Sequence, residues 1–250
     1  MRQMMIAGNW KMNGTKVSAE SLLEGIREAH FANVQLIVFP PYVYLDLTQR
    51  ILSGTSIKWG AQNVNAESDG AFTGEISVTM LLDFGCQYVL VGHSERRSLY
   101  HETDKIVAAK FAKAKQIGLK PILCVGERFA EREASMTMAV IRKQIQAVLD
   151  LRGGASMFEH AVVAYEPVWA IGTGLTATPD QAQEIHAVIR KQIAEYDQAI
   201  AENLTILYGG SVKPDNAAEL FAMPDVDGGL VGGASLQVKS FLEIAKSCNN

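Results

Sequence analysis

The stretch HAVVAYEPVWAIGTG at 160–174 is the place to start. Ala161, Val162, Val163 and Ala164 make an apolar run of the β type. It ends on a carboxylate, Glu166, which a strand interior seldom tolerates, and then on Pro167, a Trp and a Gly-Thr-Gly. Runs of the same kind recur at 4–10 (MMIAGNW), 34–40 (VQLIVFP), 56–63 (SIKWGAQN), 88–93 (YVLVGH), 120–127 (KPILCVGE), 204–210 (LTILYGG) and 227–233 (DGGLVGG). Most are too uniformly apolar for half-exposed hairpin strands, and they read as strands buried on both faces, as in parallel sheets.

Helical patterns lie between them. Leu22, Leu23, Ile26 and Ala29 share one helix face, as do Val107, Phe111 and Ala114, then Ile141, Ile145 and Val148, then Ile185, Ile189 and Ile193. Thr178-Pro179-Asp180-Gln181 supplies an N-cap, a Pro at the first helical position and a capping-box partner. Ser77 is a plausible N-cap for a shorter helix through Met80 and Leu81, and the helix through Phe111 stops at Gly118. Strand and helix alternate without a composition break or a Pro/Gly/Ser linker, which predicts one domain over 1–250. Eight such units in 250 residues match a closed (β/α)8 barrel, an α/β fold with a parallel eight-stranded barrel. An open doubly wound sheet is the alternative, but no GxGxxG follows the first strand.

With 48% hydrophobic residues the chain can bury a sizeable core. Lys and Arg number 23 against 27 Asp and Glu, a balance of −4 with no basic block, so neither nucleic acid nor a membrane surface is an expected partner. Cys86, Cys124 and Cys248 are odd in number, far apart and in no CxxC pair, which argues against a disulfide framework and a zinc site. No signal-like segment opens the chain and no run stays apolar for a membrane span, so the expected location is the cytoplasm.

In such a barrel the chemistry gathers at the C-terminal ends of the strands. Strand one ends in Asn9 and Lys11, strand four in His93-Ser94-Glu95, strand six in Glu166, strand seven in Gly209-Gly210-Ser211 and strand eight in Gly232-Gly233. A single loop lysine is normally just solvated, yet Lys11 at a strand end can hold an anionic substrate. Ser94 reads as an N-cap, which would set His93 against the positive end of a helix and favour its neutral form. Glu95 has two readings of equal weight, a first-turn carboxylate or a partner for Lys11. Among Tyr165, Pro167, Val168 and Trp169, Glu166 would lose solvation, with its pKa raised towards that of a useful base. Residues 167–174 read as a hinged lid with an apolar tip at Trp169, Ala170 and Ile171 and a flexible Gly172-Thr173-Gly174 end. The glycines after strands seven and eight leave backbone N–H groups uncovered where barrels commonly bind phosphate.

GNWKMNG at 8–14, VGHSERR at 91–97, AYEPVWAIGTG at 164–174, YGGSV at 208–212 and GLVGGASL at 229–236 together resemble the triosephosphate isomerase family over nearly the whole chain. The resemblance implies interconversion of dihydroxyacetone phosphate and D-glyceraldehyde 3-phosphate, a step of glycolysis and gluconeogenesis, through an enediol(ate). It implies Glu166 as the base, neutral His93 as the group that polarises the carbonyl, Asn9 and Lys11 as orienting and stabilising groups, and Glu95 as the residue that positions Lys11. Gly172, Ser211, Gly232 and Gly233 would hold the phosphate through backbone N–H groups. It implies no metal and no organic cofactor, and a homodimer in which the long loop 63–77, with Thr73 near its tip, docks beside the partner's Asn9 and Lys11. Gln237, where many relatives carry Lys, is the one departure and touches no catalytic position. Two other functions fit parts of the pattern: a Schiff-base aldolase using Lys11, and a phosphosugar-binding barrel without catalysis.

Overall fold

The computed structural model describes residues 2–171 and 176–249. Its strands are β1 Met4–Asn9, β2 Val34–Phe39, β3 Lys58–Ala61, β4 Tyr88–Val91, β5 Lys120–Val125, β6 Val162–Tyr165, β7 Thr205–Tyr208 and β8 Gly228–Val231. Each pairs in parallel with the next, and β8 pairs back onto β1 through Met5↔Gly228 to Gly8↔Val231, so the sheet closes. Closure removes every free edge, so no strand needs a row of protective charges, and the only charged residues on the strands are Lys58 and Lys120, each at a strand start. The (β/α)8 barrel expected from the sequence is therefore the fold.

Two packed layers follow from the alternation of side chains along each strand. Met5, Ala7, Ile37, Phe39, Leu90, Ile122, Cys124, Val162, Ala164, Leu207 and Leu230 fill the barrel interior. Ile6, Leu36, Val38, Val89, Val91, Leu123, Val163 and Ile206 face outward and pack beneath the helices. Continuing the inward set by one more step of two reaches Asn9 on β1, Gly126 after β5, Glu166 after β6, Gly209 after β7 and Gly232 after β8. The barrel's own period thus delivers the polar strand-end residues to one mouth.

The outer ring consists of α1 Lys16–Ile26, α2 Leu45–Leu52, α3 Val78–Asp83, α4 Ser94–Leu99, α5 Asp104–Ile117, α6 Phe129–Glu133, α7 Thr137–Leu149, α8 Pro179–Ala194, α9 Gln198–Asn203, α10 Ala217–Phe221 and α11 Val238–Lys246. Helix α8 begins as its sequence predicts, with a capping box between Thr178 and Gln181 and Pro179 in the first turn. Such a cap is worth about 1 kcal/mol. Its buried Ile185, Ile189 and Ile193 contribute about 1.5–3 kcal/mol each. Ser77 caps α3, and Gly118 ends α5 in the left-handed region at φ 104°. One boundary differs from the sequence expectation: α1 ends at Ile26 with Arg27 as its C-cap, so Ala29 lies beyond the helix although it still packs on the core. Residues 62–77 hold no helix or strand and form an excursion pinned at its base, where Asn65 N–H donates to Ile76 O at 2.9 Å and Asn65 Nδ2 to Glu75 Oε2 at 2.6 Å. Among the described residues no helix is long and apolar enough to cross a membrane.

Candidate active site

A cavity of about 390 Å³ opens at the C-terminal mouth, lined by Asn9, Lys11, His93 and Glu166 on its floor and by Ser211, Gly232 and Gly233 on its rim. Glu166 is 2% exposed. Its backbone is seated by a close approach to Gly126, where an added Cβ would fall 1.8 Å from Glu166 O. Its carboxylate is held by three donors: His93 Nε2 lies 2.9 Å from Oε1, Ser94 N–H donates to Oε2 at 2.9 Å, and Ser94 Oγ donates to Oε1 at 3.4 Å.

This corrects two expectations. The N-cap of α4 is His93, whose Nδ1 accepts Glu95 N–H at 3.2 Å; Ser94 is the first helical residue, and its N–H and hydroxyl are aimed at Glu166. Burial does oppose a charge on Glu166, as its apolar neighbours implied. The His93 imidazole, the Ser94 N–H and Lys11 outweigh burial, so the carboxyl group titrates below its ordinary value of 4.5.

His93 feels opposing influences. Burial disfavours its charge, while the Glu166 and then the Glu95 carboxylate draw its pKa up. Protonation at Nδ1, however, would break the bond from Glu95 N–H at a helix start, where the backbone already presents positive charge. In the resting arrangement Nδ1 accepts from Glu95 N–H and Nε2 faces Glu166 Oε1.

Lys11 is held in an unusual conformation for a side-chain-bearing residue, with φ 53°. Its N–H donates to Asn9 Oδ1 at 3.0 Å, and its carbonyl accepts from Gln62 Nε2 at 2.9 Å. The ammonium reaches Glu95 Oε1 at 2.6 Å, so Glu95 is at once a first-turn carboxylate of α4 and the partner of Lys11. Lys11 Cε also lies 3.7 Å from where a Cβ on Gly232 would sit, so the cation spans from the floor to the glycine rim.

On that rim the N–H groups of Ser211, Gly232 and Gly233 donate to no protein acceptor among the described residues. Gly209 differs from the expectation: its N–H is consumed by Tyr165 O at 2.7 Å. Its service is space, because a Cβ there would meet Glu166 Cγ at 2.9 Å. Gly172 lies outside the described residues.

The family model for triosephosphate isomerase matches residues 4–248. The chain belongs to the triosephosphate isomerase family. Among its relatives, the protein called triosephosphate isomerase from Dechloromonas aromatica is 56% identical over 250 residues, the full length of both chains. That from Nitrosococcus oceani is 54% identical over 249 residues, 99% of each chain. One from Coxiella burnetii is 50% identical over 250 residues, 99% of this chain and 98% of its own.

The reading of the sequence missed one functional candidate in this member of the triosephosphate isomerase family. Glu127, fully buried just past β5, accepts from Trp169 Nε1 at 2.9 Å and from Tyr165 OH at 3.2 Å, with Arg132 Nη1 at 3.4 Å. The Arg132 guanidinium stacks 4.3 Å from the Trp169 ring. Trp169 is therefore anchored to the barrel and is not the free apolar tip expected of it, and Ala170 beside it is fully buried. The available signal was positional: Glu127, like Glu166, is a carboxylate at the end of an apolar strand.

Proposed function

We propose that the chain interconverts dihydroxyacetone phosphate and D-glyceraldehyde 3-phosphate by proton transfer through an enediol(ate). The observation that carries this reading is the meeting of the Glu166 carboxylate and the Nε2–H face of His93, 2.9 Å apart, on the floor of a cavity whose rim offers free backbone N–H groups. Glu166, ionised by its surroundings, removes a proton from the carbon beside the carbonyl. The C–H electron pair moves into the carbon–carbon bond as the carbonyl pair moves onto oxygen, which accepts a hydrogen bond from His93 Nε2–H. Return of the proton from Glu166 to the neighbouring carbon, with proton exchange between the two oxygens through His93, completes the isomerisation.

A carboxylate already accepting three hydrogen bonds is a subdued base. Productive binding therefore requires Glu166 to leave Ser94 and turn towards the substrate carbon, while His93 exchanges Glu166 for the substrate oxygen. A neutral imidazole suits that exchange because its remaining proton is close in acidity to that of an enediol, whereas imidazolium would give its proton up too completely. Lys11 and Asn9 stabilise the charge that develops on oxygen, and the Glu95 carboxylate holds the Lys11 ammonium in place. Ser211, Gly232 and Gly233 take the phosphate through their N–H groups, joined by Gly172 of the lid. Exclusion of water beneath that lid keeps the enediolate from expelling phosphate.

The Schiff-base reading of Lys11 has less support. The Lys11 nitrogen is already engaged by Glu95 Oε1 at 2.6 Å and would have to leave it to attack a carbonyl. No step of the proposed mechanism calls for a metal or an organic cofactor.

The proposed assembly is a homodimer. Large apolar side chains are exposed on the loops after β1 (Met12, 94%), β2 (Val43, 80%) and β3 (Phe72, 44%) and on α4 after β4 (Leu99, 67%). Strands one to four are neighbours in the barrel, so these residues share one side of the mouth, and loop 63–77 with its exposed Thr73 belongs to the same side. A second copy of the chain would cover them.

The test is a coupled assay of the purified protein with D-glyceraldehyde 3-phosphate beside a Glu166→Gln variant. Conversion by the parent and a loss of about 10²–10⁴ in the variant is the expected result. A folded parent without conversion would leave a phosphate-binding barrel of other chemistry.

A further inference from the structure

The charges around the catalytic cavity are unevenly committed. Among the described residues lining it, the cations are Lys11 and Lys213. Lys11 is bonded to Glu95, and Glu166 is bonded to His93 and Ser94. The Lys213 side chain is exposed and has no hydrogen bond or ion pair among the described residues.

Lys213 also lines a second depression of about 380 Å³ that shares Gly233 and Ala234 with the catalytic cavity and runs outward past Gln237 and Ser240. It stands where the outer groove meets the phosphate rim. The opposite wall is neutral at Gln237, and Asp215, which lines only the outer groove, is the one acid there among the described residues. The backbone that carries Lys213 is tied down on both sides: Lys213 N–H donates to Asn216 Oδ1 at 2.8 Å, Asn216 Nδ2 donates to Ser211 O at 3.0 Å, and Lys213 O accepts from Ala217 N–H at 3.0 Å. Ser211, whose N–H has no acceptor among the described residues, and Lys213 are thereby held in one hydrogen-bonded turn.

We propose that Lys213 guides anions into the site, drawing a phosphate monoester along the outer groove onto the N–H groups of Ser211, Gly232 and Gly233. The proposal rests on the isomerase reading for its substrate, but its physics needs only an anionic ligand. An unpaired cation beside a cleft raises the local concentration of a dianion and speeds its capture, and it acts across a screening length of about 8 Å at physiological salt. Such a residue influences encounter and leaves the bond-breaking steps alone. With Gln237 neutral, Lys213 supplies this field without help from the facing wall.

The experiment compares the parent with Lys213→Gln, Lys213→Glu and Lys213→Arg. At low ionic strength kcat/KM for D-glyceraldehyde 3-phosphate should fall about 3–10-fold in Lys213→Gln and further in Lys213→Glu, with Lys213→Arg near the parent and kcat unchanged. The differences should close at about 0.5 M salt, where screening is nearly complete. Turnover of D-glyceraldehyde, which lacks the phosphate, should not respond to any of the substitutions. Equal kcat/KM for parent and Lys213→Gln at low salt would overturn the proposal, and so would a loss that persists in salt or extends to D-glyceraldehyde. Affinity for inorganic phosphate, measured by titration calorimetry, requires no turnover. A several-fold weakening in Lys213→Gln at low salt supports the guide even if the parent proves inactive as an isomerase, and equal affinities count against it.

Discussion

Gly209 and Glu166 occupy each other's space: a methyl group on Gly209 would lie 2.9 Å from Glu166 Cγ and 3.1 Å from Tyr165 O. The absence of a side chain after β7 is what admits the carboxylate after β6. Gly209→Ala should therefore displace Glu166 from His93 and Ser94. Overpacking of this kind costs about 1–3 kcal/mol, and a misplacement on the ångström scale costs about 10² in kcat/KM. Steady-state kinetics beside urea unfolding would separate the two effects. A destabilised variant with parental kinetics would mean that Glu166 keeps its place.

The Trp169 anchor offers a second prediction. Trp169→Phe keeps the ring stack on Arg132 and removes the N–H that Glu127 Oε1 accepts at 2.9 Å. The other oxygen, Oε2, has no partner among the described residues, so the loss falls on a carboxylate that is fully buried. A hydrogen bond to a charged group is worth about 1.5–3 kcal/mol, and stability should fall by that order. A loosened lid should also release more inorganic phosphate per turnover. Colorimetric phosphate detection during the isomerase assay reads that fraction, and an unchanged fraction would separate Trp169 from lid closure.

Stability should depend on His186. The ring is fully buried on α8, where its Nδ1 faces Asp225 O at 3.1 Å and its Nε2 has no partner among the described residues, and burial lowers its pKa from 6.5 to about 4. Because the folded-state pKa is depressed, the unfolded chain binds the proton first. The stability associated with a neutral His186 is complete above pH 6.5 and is lost as pH falls towards about 4. Across that window the loss is about 3 kcal/mol. Denaturant midpoints at pH 7 and pH 4.5 should differ less in His186→Gln than in the parent, and parallel pH dependences would remove His186 as the cause.

For assembly, sedimentation equilibrium should give the parent twice its 27.2 kDa chain mass at micromolar concentration. Met12→Asp puts a charge on a side chain that is 94% exposed in the single chain and should shift the mass towards 27.2 kDa. A parent already at the single-chain mass would leave the apolar rim without its proposed cover.

The barrel was legible because its signal is local. A run such as Val162–Tyr165 is apolar at every position since one face meets the barrel interior and the other meets helices, and that pattern needs no knowledge of distant residues. Asn9, Lys11, His93, Glu95 and Glu166 stood out for the converse reason, as polar side chains where an apolar strand stops. Their relations to one another were a different matter. Ser94 N–H meets Glu166 across 72 positions, and Glu127 meets Trp169 across 42, distances that only barrel closure and strand register can span.

Local reading also assigned the wrong partner where two local solutions competed. Ser94 is the better cap by residue type, but φ 71° at Gly92 re-aims the chain so that His93 takes the cap and Ser94 is left free to serve Glu166. The burial of Glu166 could be foreseen from its neighbours, whereas the direction of its pKa could not, since that depends on His93 and the Ser94 N–H from the end of β4 and on Lys11 from beyond β1. Composition and periodicity specify which residues face the core and where each strand stops. The sign of an electrostatic interaction, and the space a glycine leaves for its neighbour, exist only once the closed sheet has set those ends beside one another.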